Sequence, residues 1–328
     1  ESLTEVFTFW EAERRLLIGL KNRVQEERSA VDPEAIGTVA SQRKAGHWLS
    51  GPGRDEPTRA AAAHAYDAIL AASELFALKS KLHPLAFETP QALLTAYQNE
   101  LYRFDQLYRR FTENAAPAEG QGWDLLKTLS AEVEALYDQD FLQPLGLEWS
   151  RLLDDGFLDL WHVPALPAQQ DFFSEVIRPY LDESDRKRAY VIISDAFRYE
   201  AAQDLAQTLN GLYRMDAELG AMLGVLPSYT SLGMASLLPG QDLAYTEKGD
   251  IAVDGDSVTG TEARNKQLEK VGGMACRAEE LRVMKLEEAR EFTRGKRVVY
   301  IYHNVIDARG DTASTESETF SAVDECIK

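Results

Sequence analysis

Along the first half of the chain, apolar residues recur every three or four positions. Leu3, Phe7, Trp10, Leu17, Leu20 and Val24 share one helical face. Residues 58–80 are rich in alanine, the strongest helix former. Thr89-Pro90 pairs an N-cap with a proline at the first helical position, and the helix it opens carries a stripe of Leu94, Tyr97, Leu101, Phe104, Tyr108 and Phe111. A further helix is marked by Trp123, Leu126, Leu129, Val133, Leu136 and Tyr137. The polar, Gly- and Pro-bearing stretches 41–57 (SQRKAGHWLSGPGRDEP) and 113–122 are predicted loops. Residues 1–160 therefore predict a helical bundle domain.

The period changes after a two-proline linker at 161–170. Residues 189–194 (AYVIIS) and 296–302 (KRVVYIY) are continuous apolar runs, the signature of strands buried on both faces of a parallel sheet. Residues 215–223 predict another strand. Between the strands the pattern is helical at 171–181, 198–209, 228–238, 278–294 and 315–327. A hairpin is expected over 243–258, with turns at Lys248-Gly249-Asp250 and Asp254-Gly255-Asp256. Strands alternating with helices place a parallel α/β domain at 161–328.

Charge narrows the function classes. The chain carries 54 Asp and Glu against 35 Lys and Arg, a net −19. That argues against a chain-wide basic surface for gripping nucleic acid, but leaves room for a local phosphate site built around metal ions. Cys276 and Cys326, the two cysteines, are too few for a disulfide framework or a Cys-rich zinc site, and suit free thiols in a reducing cytoplasm. No apolar run of about 18 residues and no signal-peptide pattern stands out, so a cytoplasmic location without membrane contact is expected.

The candidate chemistry follows the strands, because ligands of open α/β sheets bind beyond their carboxyl ends. Asp195 leaves the first apolar run directly; it either caps the next helix or holds a divalent cation. The second run leads into His303, Asp307 and Asp311. Asp307 and Asp311 are four apart, so one helical turn sets both carboxylates on one face, where a cation would relieve their repulsion. The alternatives are a solvated loop and, for His303, a hydrogen-bonded core or rim position. Thr230 begins a short helix after a proline turn, which suits either a capping hydroxyl or a nucleophile aimed at an anionic phosphorus centre. The stripe 102–111 (YRFDQLYRRF) reads as core aromatics with solvated arginines, with stacking on nucleic acid as the alternative.

Taken together, VIISDAFRYEAAQDLAQTLNG, AMLGVLPSYTSLGMASLLPG, VDGDSVTGTEARN and YIYHNVIDARGD resemble the PglZ family, type A, of BREX phage-defence systems, within the alkaline phosphatase superfamily. The resemblance spans roughly 170–328. It implies an alkaline-phosphatase-like parallel sheet, here partial, preceded by an all-α domain. It also implies a metal-dependent phosphatase or phosphodiesterase acting on phosphate esters, with nucleic acid or nucleotides as candidate substrates and other BREX proteins as partners. Carried over, Asp195 is a metal ligand and Thr230 is both nucleophile and metal ligand. Asp307 opens a second ligand pair with Asp311, and His303, which has no clear counterpart, is a further candidate metal ligand. Zinc is the family's metal. Asp311 stands where many superfamily members have His, which shifts the preference toward harder ions such as manganese or magnesium. A later Asp-His pair and a further His are not found, and Glu1 is not a natural start residue, so a fragment of a longer protein is expected. A non-catalytic docking module for other BREX proteins is the alternative function.

Overall fold

The computed structural model describes residues 10–52, 55–120, 124–185 and 187–327; Leu3, Phe7 and Trp123 lie outside the described residues. It divides into two compact units, Glu1–Asp159 and Leu160–Lys328.

The first unit is helical and built around the Glu56–Lys81 helix. Asp55 caps that helix by accepting the Thr58 N–H. Its alanines Ala61, Ala62, Ala65, Ala68 and Ala72 are buried, and these small side chains let the Tyr102–Glu119 helix pack closely along it. Phe104 and Phe141 stack with ring centroids 4.3 Å apart. Thr89 accepts the Ala92 N–H and Pro90 opens the Pro90–Ala96 helix, as its cap signal predicts. Inside the bundle Arg43 pairs with Glu13, and the Tyr66 hydroxyl donates to the same carboxylate at 2.8 Å. Pairing and hydrogen bonding are what make such buried charges tolerable.

Both predicted loops of this unit are largely helical. The Pro33–Ala45 helix, capped by Asp32, runs into residues 41–45, and His47–Ser50 adds a turn. Arg43 in that polar stretch faces inward because Glu13 waits for it, a partner 30 positions away that local polarity cannot reveal. The Tyr102–Glu119 helix continues through Pro117, with Ala115 and Ala118 buried on its inner face. That burial outweighs the backbone hydrogen bond a proline forfeits. The arginines of the 102–111 stripe are not all solvated: Arg109 is buried against Glu113.

The second unit contains strands β1 (Ala189–Ser194), β2 (Leu243–Tyr245), β3 (Ile251–Val253), β4 (Asp256–Ser257), β5 (Gly273–Arg277) and β6 (Val298–His303). β1, β6 and β5 form a parallel sheet in that order, with Ala189 opposite Val298 and Ser194 opposite His303. β2, β3 and β4 form an antiparallel sheet, the expected hairpin extended by a strand. Val191, Val298, Tyr300 and Tyr302 pack with Leu232, Ala235 and Leu238 into one core. At Gly273 a Cβ would sit 2.5 Å from Val298 Cγ1, so glycine lets β5 approach β6.

Two further expectations change. Residues 215–223 form no strand: Leu223 alone makes a bridge, to Ala168, while Met215 and Met222 stay exposed. The helix expected over 278–294 is broken into Ala278–Arg282 and Leu286–Phe292, because the Lys285 N–H turns to the Glu288 carboxylate. Among the described residues no helix is long and apolar enough to cross a membrane.

Candidate active site

The site lies at the carboxyl end of β1 and β6. The Asp195 N–H donates to the His303 carbonyl at 2.9 Å, extending the ladder by one residue and fixing Asp195 at its rim. Ala196 follows with φ of 60°, a left-handed conformation costly for any residue with a Cβ. Its N–H donates to the Asp195 carboxylate at 3.1 Å, so the sharp turn holds the carboxylate in place. Strain of this kind clusters where a side chain has to be aimed.

β6 continues into a single helical turn, Val305–Gly310, and the Asp311 N–H donates to the Asp307 carbonyl at 2.9 Å. The expected turn therefore forms, and both of its carboxylates act on Asp195. The Asp195 carboxyl is raised above the usual range chiefly by partial burial, then by the negative charge of Asp307 and, less, of Asp311. The Ala196 N–H and the Thr230 hydroxyl oppose that rise by donating to the charged form. Asp195, Thr230, Asp307 and Asp311 thus share one electrostatic site, although they are spread over 117 positions of the chain.

His303 has other partners. Its Nδ1 meets Ser194 Oγ at 2.9 Å, and its Nε2 lies 3.9 Å from Cys326 Sγ.

Thr230 begins the Thr230–Ser236 helix, and Gln169 ties down the segment that carries it. The Gln169 carboxamide accepts from the Val225 N–H and donates to the Gly233 carbonyl, each at 3.2 Å, while its backbone N–H donates to the Leu223 carbonyl at 2.8 Å. At the other end the Tyr300 hydroxyl donates to the Leu237 carbonyl at 2.6 Å. Gln169 lies in the two-proline stretch whose composition predicts a linker, so its role is not visible in the sequence. Its only local signal is a polar residue beside a proline pair, and its partners stand more than fifty positions away. A cavity of about 630 Å³ opens beside Thr230 and Asp195, lined also by Phe172, Met222, Tyr229 and Met234.

Among the described residues no three or more His, Cys, Asp or Glu form a group that could hold a metal ion as they stand. The donors that act on Asp195 are nevertheless carboxylates and a hydroxyl, hard oxygen atoms of the kind a divalent cation takes. Their mutual repulsion is the effect that a cation relieves, so the donor chemistry fits such an ion.

Residues 172–328 match the family model described as the BREX system PglZ alkaline phosphatase-like domain. The chain is 39% identical over 324 residues to the alkaline phosphatase-like protein BrxZ of Escherichia coli O9:H4 (strain HS), an overlap of 98% of this chain and 37% of that protein. It is 34% identical over 296 residues to the alkaline phosphatase-like protein PglZ of Bacillus cereus (strain H3081.97), an overlap of 89% and 33%. The chain spans about a third of the length of the curated relatives it matches. No solved structure matches it.

Proposed function

Because residues 172–328 belong to the BREX system PglZ alkaline phosphatase-like family, we propose that this chain carries part of a metal-dependent phosphohydrolase centre with Thr230 as its nucleophile. The observation that carries this reading is that Thr230 and Asp195 line one cavity, with Asp307 and Asp311 acting on the same Asp195 carboxylate. Asp195, Asp307 and Asp311 would hold a divalent cation, with zinc, manganese and magnesium the candidates. Bound there, the cation supplies positive charge beside the phosphate and eases ionisation of a hydroxyl.

The chain's own residues do the rest. Asp195, which lines the same cavity, takes the Thr230 proton as Oγ attacks and passes it to the departing ester oxygen. Thr230 Oγ forms a bond to phosphorus in line as the ester oxygen departs, leaving a phosphothreonine that water then cleaves. Gln169 and Tyr300 keep the Thr230 segment from shifting. Phosphate monoesters or diesters, including nucleotides and nucleic acid, are the substrate class, and other BREX proteins are the partners within a phage-defence system. The test is hydrolysis of bis-p-nitrophenyl phosphate and p-nitrophenyl phosphate by the intact protein with zinc, manganese or magnesium and with chelator. Turnover that requires a divalent cation supports the reading. No turnover of either ester with any of the three ions contradicts it and leaves the docking-module alternative.

A further inference from the structure

Among the described residues, buried arginines have carboxylate partners, with one exception. Arg43 pairs with Glu13 and Arg109 with Glu113. Arg264, 9% exposed, has no carboxylate at ion-pair distance among the described residues. Its Nη1 lies 3.0 Å from Met234 Sδ, and its guanidinium sits 4.9 Å from the centroid of the Tyr302 ring. Its Nε is buried without an acceptor, and so is the neighbouring Tyr302 hydroxyl. Burial pushes the Tyr302 phenol up to about 12 against the opposing effect of the Arg264 guanidinium beside it, so it stays a donor at neutral pH.

A thioether is a weak acceptor, and the face of one phenol ring replaces little of the hydration a guanidinium gives up. Buried polar groups left in this state call for a physical reason. Two adjacent donors, one of them cationic, are both satisfied by one oxyanion, and the planar guanidinium fork matches phosphate geometry.

The surrounding elements put this pair beside the site. Tyr302 is the penultimate residue of β6, directly before His303. Arg264 lies on the Thr261–Glu269 helix, which Gln267 anchors by donating to the Pro239 carbonyl at 2.6 Å. Met234 is one helical turn beyond Thr230, and both line the same cavity. Met234 therefore touches the guanidinium and also lines that cavity, and its unbranched side chain is the easiest kind to move.

We propose that Arg264 and Tyr302 form an oxyanion subsite for a phosphoryl group on the inner side of the Thr230 cavity, gated by Met234. The inference rests on the reading of that cavity as a phosphate-ester site and adds to it a positive charge that does not depend on metal. The test is calorimetric titration of the protein with inorganic phosphate, for the wild type, Arg264→Gln, Arg264→Lys and Tyr302→Phe, with circular dichroism as the check on folding. The wild type binds phosphate. Arg264→Gln weakens binding by about tenfold or more, as expected for loss of a charge-assisted hydrogen bond. Tyr302→Phe weakens it less, and Arg264→Lys falls between, keeping the charge without the fork. Should Arg264→Gln fail to fold, the Lys and Phe variants decide by the same criterion. Unchanged phosphate affinity in the folded variants, or no phosphate binding by the wild type, overturns the subsite. Phosphate binding that depends on Arg264 in a protein that hydrolyses no ester keeps the subsite and removes the hydrolase reading. Ester hydrolysis together with phosphate affinity indifferent to Arg264 does the reverse.

Discussion

Asp195 is held where ionisation is unfavourable: half-buried, facing two other carboxylates, and followed by a strained residue. Its carboxyl is raised, so the folded state gains from protonating it. Below the ordinary Asp value of about 4 the wild type and Asp195→Asn are expected to melt alike in chelator. As the pH rises through the folded value of Asp195, the wild type loses stability that the Asn variant keeps. Melting temperatures from pH 3 to pH 8 check this; a variant that melts lower than the wild type at neutral pH contradicts it. Ala196→Gly removes the left-handed strain. After allowance for the entropy of glycine in the unfolded chain it should stabilise by about 0.5–1 kcal/mol, read by urea unfolding. If the turn aims the carboxylate, the same substitution reduces turnover.

Elements place these residues, and two side-chain contacts show how. The Tyr300 hydroxyl fastens the far end of the Thr230 helix to the sheet. Tyr300→Phe should cost about 0.5–1.5 kcal/mol, the net worth of one such hydrogen bond, since it leaves the part-buried Leu237 carbonyl without this donor. In the first unit Glu148 accepts from Arg151 at 2.8 Å and from the Phe87 N–H at 2.6 Å, which hold its carboxyl at about 2, Arg151 most of all. A depressed carboxyl stabilises above its ordinary value and loses that effect as the pH falls toward 2. Glu148→Gln should therefore melt lower than the wild type at neutral pH, with the gap closing between about pH 4 and pH 2. A gap independent of pH would separate the effect from ionisation.

The elements also show what the chain states openly and what it does not. β1 and β6 are uninterrupted apolar runs, and the Thr89-Pro90 cap is local, so all three are legible. β5 (GMACR) is short, opens on glycine and ends on arginine; it becomes a strand only because β6 offers an edge that Gly273 can approach. Residues 215–223 have strand-like composition without a neighbour to pair with beyond the single Leu223 bridge. Asp195, Thr230, Asp307 and Asp311 were each legible as candidates, because each leaves or starts an element at the sheet's carboxyl end. Gln169 and Arg264 were not: their significance lies in partners far along the chain.

For the whole molecule, the net charge of −19 takes on a local meaning around this site. Asp307 and Asp311 both act on Asp195, which lines the cavity, so a divalent cation should raise the melting temperature beyond what monovalent salt of equal ionic strength achieves. Asp195→Asn and Asp307→Asn should each lose most of that increment, and an equal response in all three proteins would trace it to general screening. The central claim is that the Thr230 hydroxyl attacks phosphorus, and its most direct test is steady-state hydrolysis of bis-p-nitrophenyl phosphate with divalent cation by the intact wild type and Thr230→Ala. The account predicts turnover by the wild type and a fall on the order of 10³-fold or more in the variant with its fold retained; equal turnover by the two proteins would contradict it.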